Sequence, residues 1–139
     1  MSYTQEKLAM LQLGSGAPQD LSVAAVHSTS FLVGSQMDIT RCMAHVSVVT
    51  VGAATVQCKK RPLQGSAVGE VVLATLVIPD ATPAGKIIYK DFDEVTLQPG
   101  DEIVYEVTAA ATSGSAHYMQ EVEQDPEQAS EQADMMESA

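Results

Sequence analysis

The chain has 139 residues, 45% of them apolar and 4% aromatic, with no Trp and a formal charge of −11. That length suits one domain whose core is built from Val, Ile, Leu and Ala, burying roughly two-thirds of the area its unfolded chain exposes. No window nears the ~20 apolar residues needed to cross a bilayer, and Met1 to Lys7 lacks the basic, apolar start of a signal peptide, so a soluble, cytosol-made chain is expected.

Residues 1–20 read as an arm. Ser2 and Gln5 have the spacing of a capping box for a short helix carrying Leu8 and Leu11, and Gly14 to Pro18 would end it. One or two helical turns are marginal alone in water. Leu8, Met10, Leu11 and Leu13 are therefore expected to pack on an adjacent copy or a larger partner.

From residue 22 to about 122 the pattern is strand after strand. The runs are 23–33, 38–51, 54–60, 70–78, 86–90, 94–97, 102–111 and 116–122. Turn signals separate them: Gly34-Ser35, Gly52, Pro62 to Gly69, Pro79 to Gly85, Asp91 to Asp93, Pro99-Gly100 and Ser113 to Ser115. Eight short β-rich runs with no amphipathic helical stretch between them predict an all-β fold, an antiparallel sandwich or barrel over residues 21–122.

Several runs carry more detail. In 40–50, alternation puts Cys42 on a face with Val46 and Val48. In 54–60 it puts Cys58 with Ala54 and Val56. Both faces read as inward, so reduced, buried thiols are expected, with a Cys42–Cys58 bridge between neighbouring strands as the alternative. The run Glu70 to Ile78 is apolar on both sides, which predicts a central strand or one covered by the arm or another chain. Pro99-Gly100, between Glu94–Leu97 and Glu102–Thr108, predicts a tight turn joining a hairpin. In the second of these strands Ile103, Tyr105 and Val107 oppose Glu102, Val104, Glu106 and Thr108.

The charge is uneven. Seven of the chain's 18 acids, and none of its 7 bases, fall in residues 120–139: Glu121, Glu123, Asp125, Glu127, Glu131, Asp134 and Glu137. A segment of Gln, Glu, Ser and Ala buries too little to offset its ordering entropy, so residues 123–139 read as a flexible, acidic, disordered tail. Met135-Met136 is the apolar contact of a docking peptide, should the tail dock. Lys59, Lys60 and Arg61 form the one basic cluster, either a solvated strand end or a seat for an acidic partner. Without interleaved aromatics it does not argue for nucleic acid.

No reactive constellation emerges. His27, His45 and His117 lie on three strands without metal-ligand spacing. Asp91, Asp93, Glu94, Asp101 and Glu102 fall in predicted turns, where solvated carboxylates are common. Nucleophile-elbow, phosphate-loop and zinc-protease motifs are missing. The chain reads as a non-enzyme with no cofactor and no membrane or direct nucleic-acid partner.

The polar segment Met1 to Gly16, the Thr/Ser/Ala/Val-rich strands and the stretch Val95 to Met119, with its strand, Pro-Gly-Asp turn, strand and Gly-Ser turn, resemble the small head-decoration or cement proteins of tailed bacteriophages, of jelly-roll type. The resemblance implies a jelly-roll-like sandwich and a structural protein of the virion, made in the host cytoplasm. Its partners would be the major capsid protein and itself, as a homodimer or homotrimer, and it would stabilise contacts between capsid subunits from outside the shell. Two alternatives stay open. One is a glycan- or receptor-binding sandwich using Tyr89 or Tyr118; the other is a cupin-like metal enzyme.

Overall fold

A computed structural model describes residues 8–13, 17–26 and 31–124. Among them are nine strands and no helix: β1 Leu8–Leu13, β2 Gln19–Asp20, β3 Phe31–Leu32, β4 Met37–Val51, β5 Ala54–Arg61, β6 Val71–Ile78, β7 Ile87–Leu97, β8 Glu102–Ala109 and β9 Ser113–Gln124. Sheet A has the order β1-β9-β4-β7, with β2 also on β9, and sheet B the order β3-β8-β5-β6. Every pairing is antiparallel. From β2 onward the chain changes sheet at each connection except β5–β6. That alternation makes a jelly roll, and the all-β, antiparallel, jelly-roll-like sandwich expected from the sequence is the fold.

Alternating apolar residues from both sheets meet in the middle. Ile39, Cys42, Ala44 and Val46 of β4 and Ala116, Tyr118 and Val122 of β9 face Val56, Cys58, Leu76, Ile103, Tyr105 and Val107 of sheet B. A large aliphatic side chain buried this fully contributes roughly 1.5–3 kcal/mol. Tyr105 and Tyr118 stack across the interior, ring centres 4.6 Å apart and 6° from parallel. The Tyr105 hydroxyl donates to the Met119 carbonyl at 2.7 Å, which satisfies a fully buried donor. Cys42 and Cys58 are free thiols, buried on opposing sheets rather than on neighbouring strands. Burial holds the Cys58 thiol and the Tyr105 hydroxyl well above their ordinary pKa values, so both stay protonated.

Four expectations are corrected and a fifth is narrowed. The predicted helix over Leu8 and Leu11 is strand β1, in register with β9 from Leu8↔Gln124 to Leu13↔Met119. A ready-made strand edge satisfies the backbone without a helix's nucleation cost. The run 23–33 is broken, touching β8 through a bridge at Val26↔Glu106 and again through β3. Pro99-Gly100 makes the predicted turn, with Asp101 N donating to Gln98 O at 3.0 Å and Gly100 at φ 94°. The turn crosses from sheet A to sheet B, however, and does not close a hairpin.

The break at Asp91 to Asp93 lies inside β7. A register shift in β4 between Ile39 and Arg41 absorbs the irregularity there, and Arg41 binds Asp91. Lastly β6 is an edge strand, which removes the central-strand alternative and leaves the one in which the arm or another chain covers it. Opposite Cys58 and Lys59 its partners jump from Ala74 to Val72, so Leu73 is an extra residue. A bulge of this kind twists an uncharged edge away from stray pairing.

Candidate interaction surface

The two tips of the sandwich differ in chemistry. At one meet the β4–β5 turn, the β6–β7 connection and the β8–β9 connection. Residues 47–55, 79–86 and 108–115 hold only Asp80 and Lys86 as charges, and the end of β2, which reaches the same tip, adds Asp20 opposite Ser115. Val48, Val49 and Val51 stand out from the end of β4, each about half exposed at 53%, 49% and 51%. Sequence alternation puts Val48 in the core with Cys42. The register shift between Val46 and Val48 turns it outward instead.

This apolar tip is rigid. Buried Thr50 donates through Oγ1 to the Pro79 carbonyl at 2.8 Å and accepts there from Thr82 N at 2.9 Å. Thr82 Oγ1 donates to the same Pro79 carbonyl at 2.7 Å. Gly52 N donates to Asp80 Oδ1 at 2.7 Å, which occupies the acid. Gly114 sits at φ 131°, and a Cβ there would lie 3.1 Å from both Cα and Cγ2 of Thr50. Close approach and backbone angle alike call for glycine. The valines are thus displayed on a surface already ordered before any partner arrives, which lowers the entropy cost of contact.

The other tip carries the charge. Lys59, mostly buried, binds Glu106 and, at 3.0 Å, Glu70. Arg61 Nε reaches Glu70 at 2.7 Å. The bond to Glu106 holds the Lys59 ammonium above its ordinary pKa against the opposing effect of burial. Bonding to Lys59, then to Arg61, holds the Glu70 carboxyl below the usual range. Glu102 Oε1 accepts from Gly65 N at 3.1 Å and ties the β5–β6 loop down over β8. Glu102, under this loop, and Val104 lie on the face expected outward, yet are nearly as buried as Ile103 and Tyr105.

The sequence-picked residues fall in three places. Lys59 and Arg61 hold the chain's own carboxylates, and Lys60 is half-buried beside them. Leu8, Met10, Leu11 and Leu13 lie in β1 at the edge of sheet A. His27, Met135 and Met136 lie outside the described residues, as does all of the expected tail beyond Gln124. Glu121 and Glu123 belong to β9 instead, and Glu121 approaches Arg41 at 3.9 Å. Of the two tyrosines considered for sugar stacking, Tyr118 is core and Tyr89 is exposed, with the Arg41 guanidinium 4.8 Å above its ring. The valine tip was missed. A run of Val48-Val49-Thr50-Val51 without charge was its only local signal.

The sequence matches no protein-family model and no curated protein. Solved structures of similar shape include these two. One is the structure of Eiger TNF from S. frugiperda: TM-score 0.48, 13% identity, 86% of this chain and 96% of that one. The other is described as Bacillus endospore appendages forming a novel family of disulfide-linked pili: TM-score 0.35, 14% identity, 88% and 92% covered. At these values neither likeness says what this chain does.

Proposed function

We propose that this chain is a structural attachment protein, a capsid cement that binds the outside of a viral shell and stabilises contacts between major capsid subunits. The observation that carries the reading is the rigid, nearly uncharged valine tip on a strongly acidic protein. On such a chain a neutral end is the one that approaches a large partner without charge repulsion, and exposed apolar side chains grouped on one surface mark contact sites. The charged tip faces away from the shell. Copies of the chain assemble as a dimer or trimer, and β1, an edge strand bearing Leu8, Met10, Leu11 and Leu13, offers backbone to a neighbour's sheet. Repeated weak contacts then add through effective concentration. No step of this role calls for catalysis.

The experiment is sedimentation of a lysate from cells that produce the chain together with its particle. On this reading the protein runs with icosahedral shells through a sucrose gradient. Recovery of all of it at the top of the gradient, with shells free of it, overturns the proposal.

A further inference from the structure

The outer face of sheet A carries a group of side chains that the attachment role does not use. On β4 and β9, Met43 pairs with Met119 and His45 pairs with His117 in adjacent rows. Their neighbours Cys42, Ala44, Ala116 and Tyr118 point into the core, so these four point away from it. Met43 and Met119 are nonetheless over nine-tenths buried, and both histidines are half-buried. The imidazole centres are 6.4 Å apart, tilted by 37°. His117 Nδ1 is buried and has no hydrogen-bond partner among the described residues, and a buried polar atom of this kind asks for an explanation.

We propose that His45, His117, Met43 and Met119 form a binding site for a soft monovalent metal ion, Cu(I) or its analogue Ag(I). The ring spacing selects the geometry. A nitrogen at about 2.0 Å from an ion puts its ring centre roughly 3 Å away, so a near-linear pair of imidazoles spans about 6 Å, whereas a tetrahedral pair closes to about 5 Å. The observed spacing fits the linear case, which d¹⁰ monovalent ions accept. Thioethers are soft donors, and Met43 and Met119 in the next row favour that class over hard divalent cations. No group of three or more His, Cys, Asp or Glu gathers among the described residues, which gives a hard cation no competing seat there.

The test is titration of the full chain with Ag(I), and with Cu(I) against a competing chelator, followed by the histidine side-chain NMR signals. One equivalent is expected to bind and shift both imidazoles. His45→Asn or His117→Asn should weaken binding at least tenfold, and Met119→Leu, which keeps the volume, by a smaller factor. Thermal unfolding of each variant confirms that it is folded, and the two single histidine variants serve as independent checks. Absence of uptake at one equivalent overturns the site. So does affinity unchanged in the His45→Asn/His117→Asn double variant, which would place the ion on the Cys42 and Cys58 thiols. Affinity unchanged in Met119→Leu removes the thioethers from it.

Discussion

The two tips of this sandwich are held by different forces. At the valine tip the fixing is chiefly by neutral hydrogen bonds among Thr50, Pro79 and Thr82, with one carboxylate, Asp80, holding Gly52 N, and the exposed side chains stay apolar. At the opposite tip it is by ion pairs, Lys59 and Arg61 with Glu70 and Glu106, which draw the sequence's one basic cluster inward. Neutral fixing leaves a surface that meets another protein with little charge to desolvate. Ionic fixing leaves one whose strength depends on pH.

That difference is broken most forcefully at Lys59. Replacing it by Met strands Glu106 and half of Glu70's pairing in a mostly buried setting, and removing one partner of a buried pair costs 3–5 kcal/mol. The partial exposure of Glu106 moderates this, so about 3 kcal/mol is expected in urea unfolding. The pH dependence follows from the shifts. Glu70 is held below its ordinary value, so its contribution is complete above that value and disappears as pH falls through the lowered one. Lys59 is held above 10.5, so its contribution is complete below that pH and disappears as pH rises past the raised value. The gap between wild type and Lys59→Met should be flat from roughly pH 5 to 10 and narrow on both sides. A gap that widens in acid would show that the pair is not what holds this tip.

Thr50→Val applies the same logic at the other tip. It leaves Thr82 N without its acceptor in a buried site, which should cost about 2 kcal/mol. Because no ionisable group is involved, that loss should not change between pH 5 and 10. A pH-dependent loss would dissolve the contrast between the tips.

How much of this was legible beforehand depends on the distance over which each feature is encoded. Alternation over Ala54, Val56 and Cys58 placed the β5 core face correctly, because a strand's facing is local. Turn chemistry at Pro99-Gly100 was likewise local and right. Which sheet the chain enters after that turn is set by pairing with β5, about 45 residues earlier, and no local signal carries it. The Lys59–Glu70–Glu106 cluster was invisible for the same reason. Glu70 to Ile78 differs: two apolar faces fit either a central strand or an edge covered by the arm or another chain, and only the topology, an edge with a bulge at Leu73, removes the first. The valine tip needed the register shift at Val46/Val48, which no pattern of hydrophobicity announces.

A smaller effect is expected at the crossover turn. Gly100 holds φ 94° with open space where a Cβ would stand. Gly100→Ala therefore meets only backbone strain, about 1 kcal/mol, without a clash. Thermal unfolding should show a lowered midpoint and an intact fold. A loss of several kcal/mol would mean that the turn's contact with Val33 O, 2.9 Å from Gly100 N, is disturbed as well.

The smallest effect on stability belongs to a residue exposed on the proposed contact surface. Val49 is half in solvent at the valine tip, and its replacement by Lys breaks no hydrogen bond shown there, so unfolding should change by less than about 0.5 kcal/mol. Association is another matter, because a lysine in a neutral contact brings a charge that must be desolvated without a counterpart. Val49→Lys should therefore leave the shell fraction of a gradient while Leu63→Lys, at the charged tip and equally exposed, stays in it. If both variants remain with the shells, attachment runs through another surface, and the β1 edge becomes the next to probe. If both leave, the shell reads the charge of the whole chain and not the neutrality of one end.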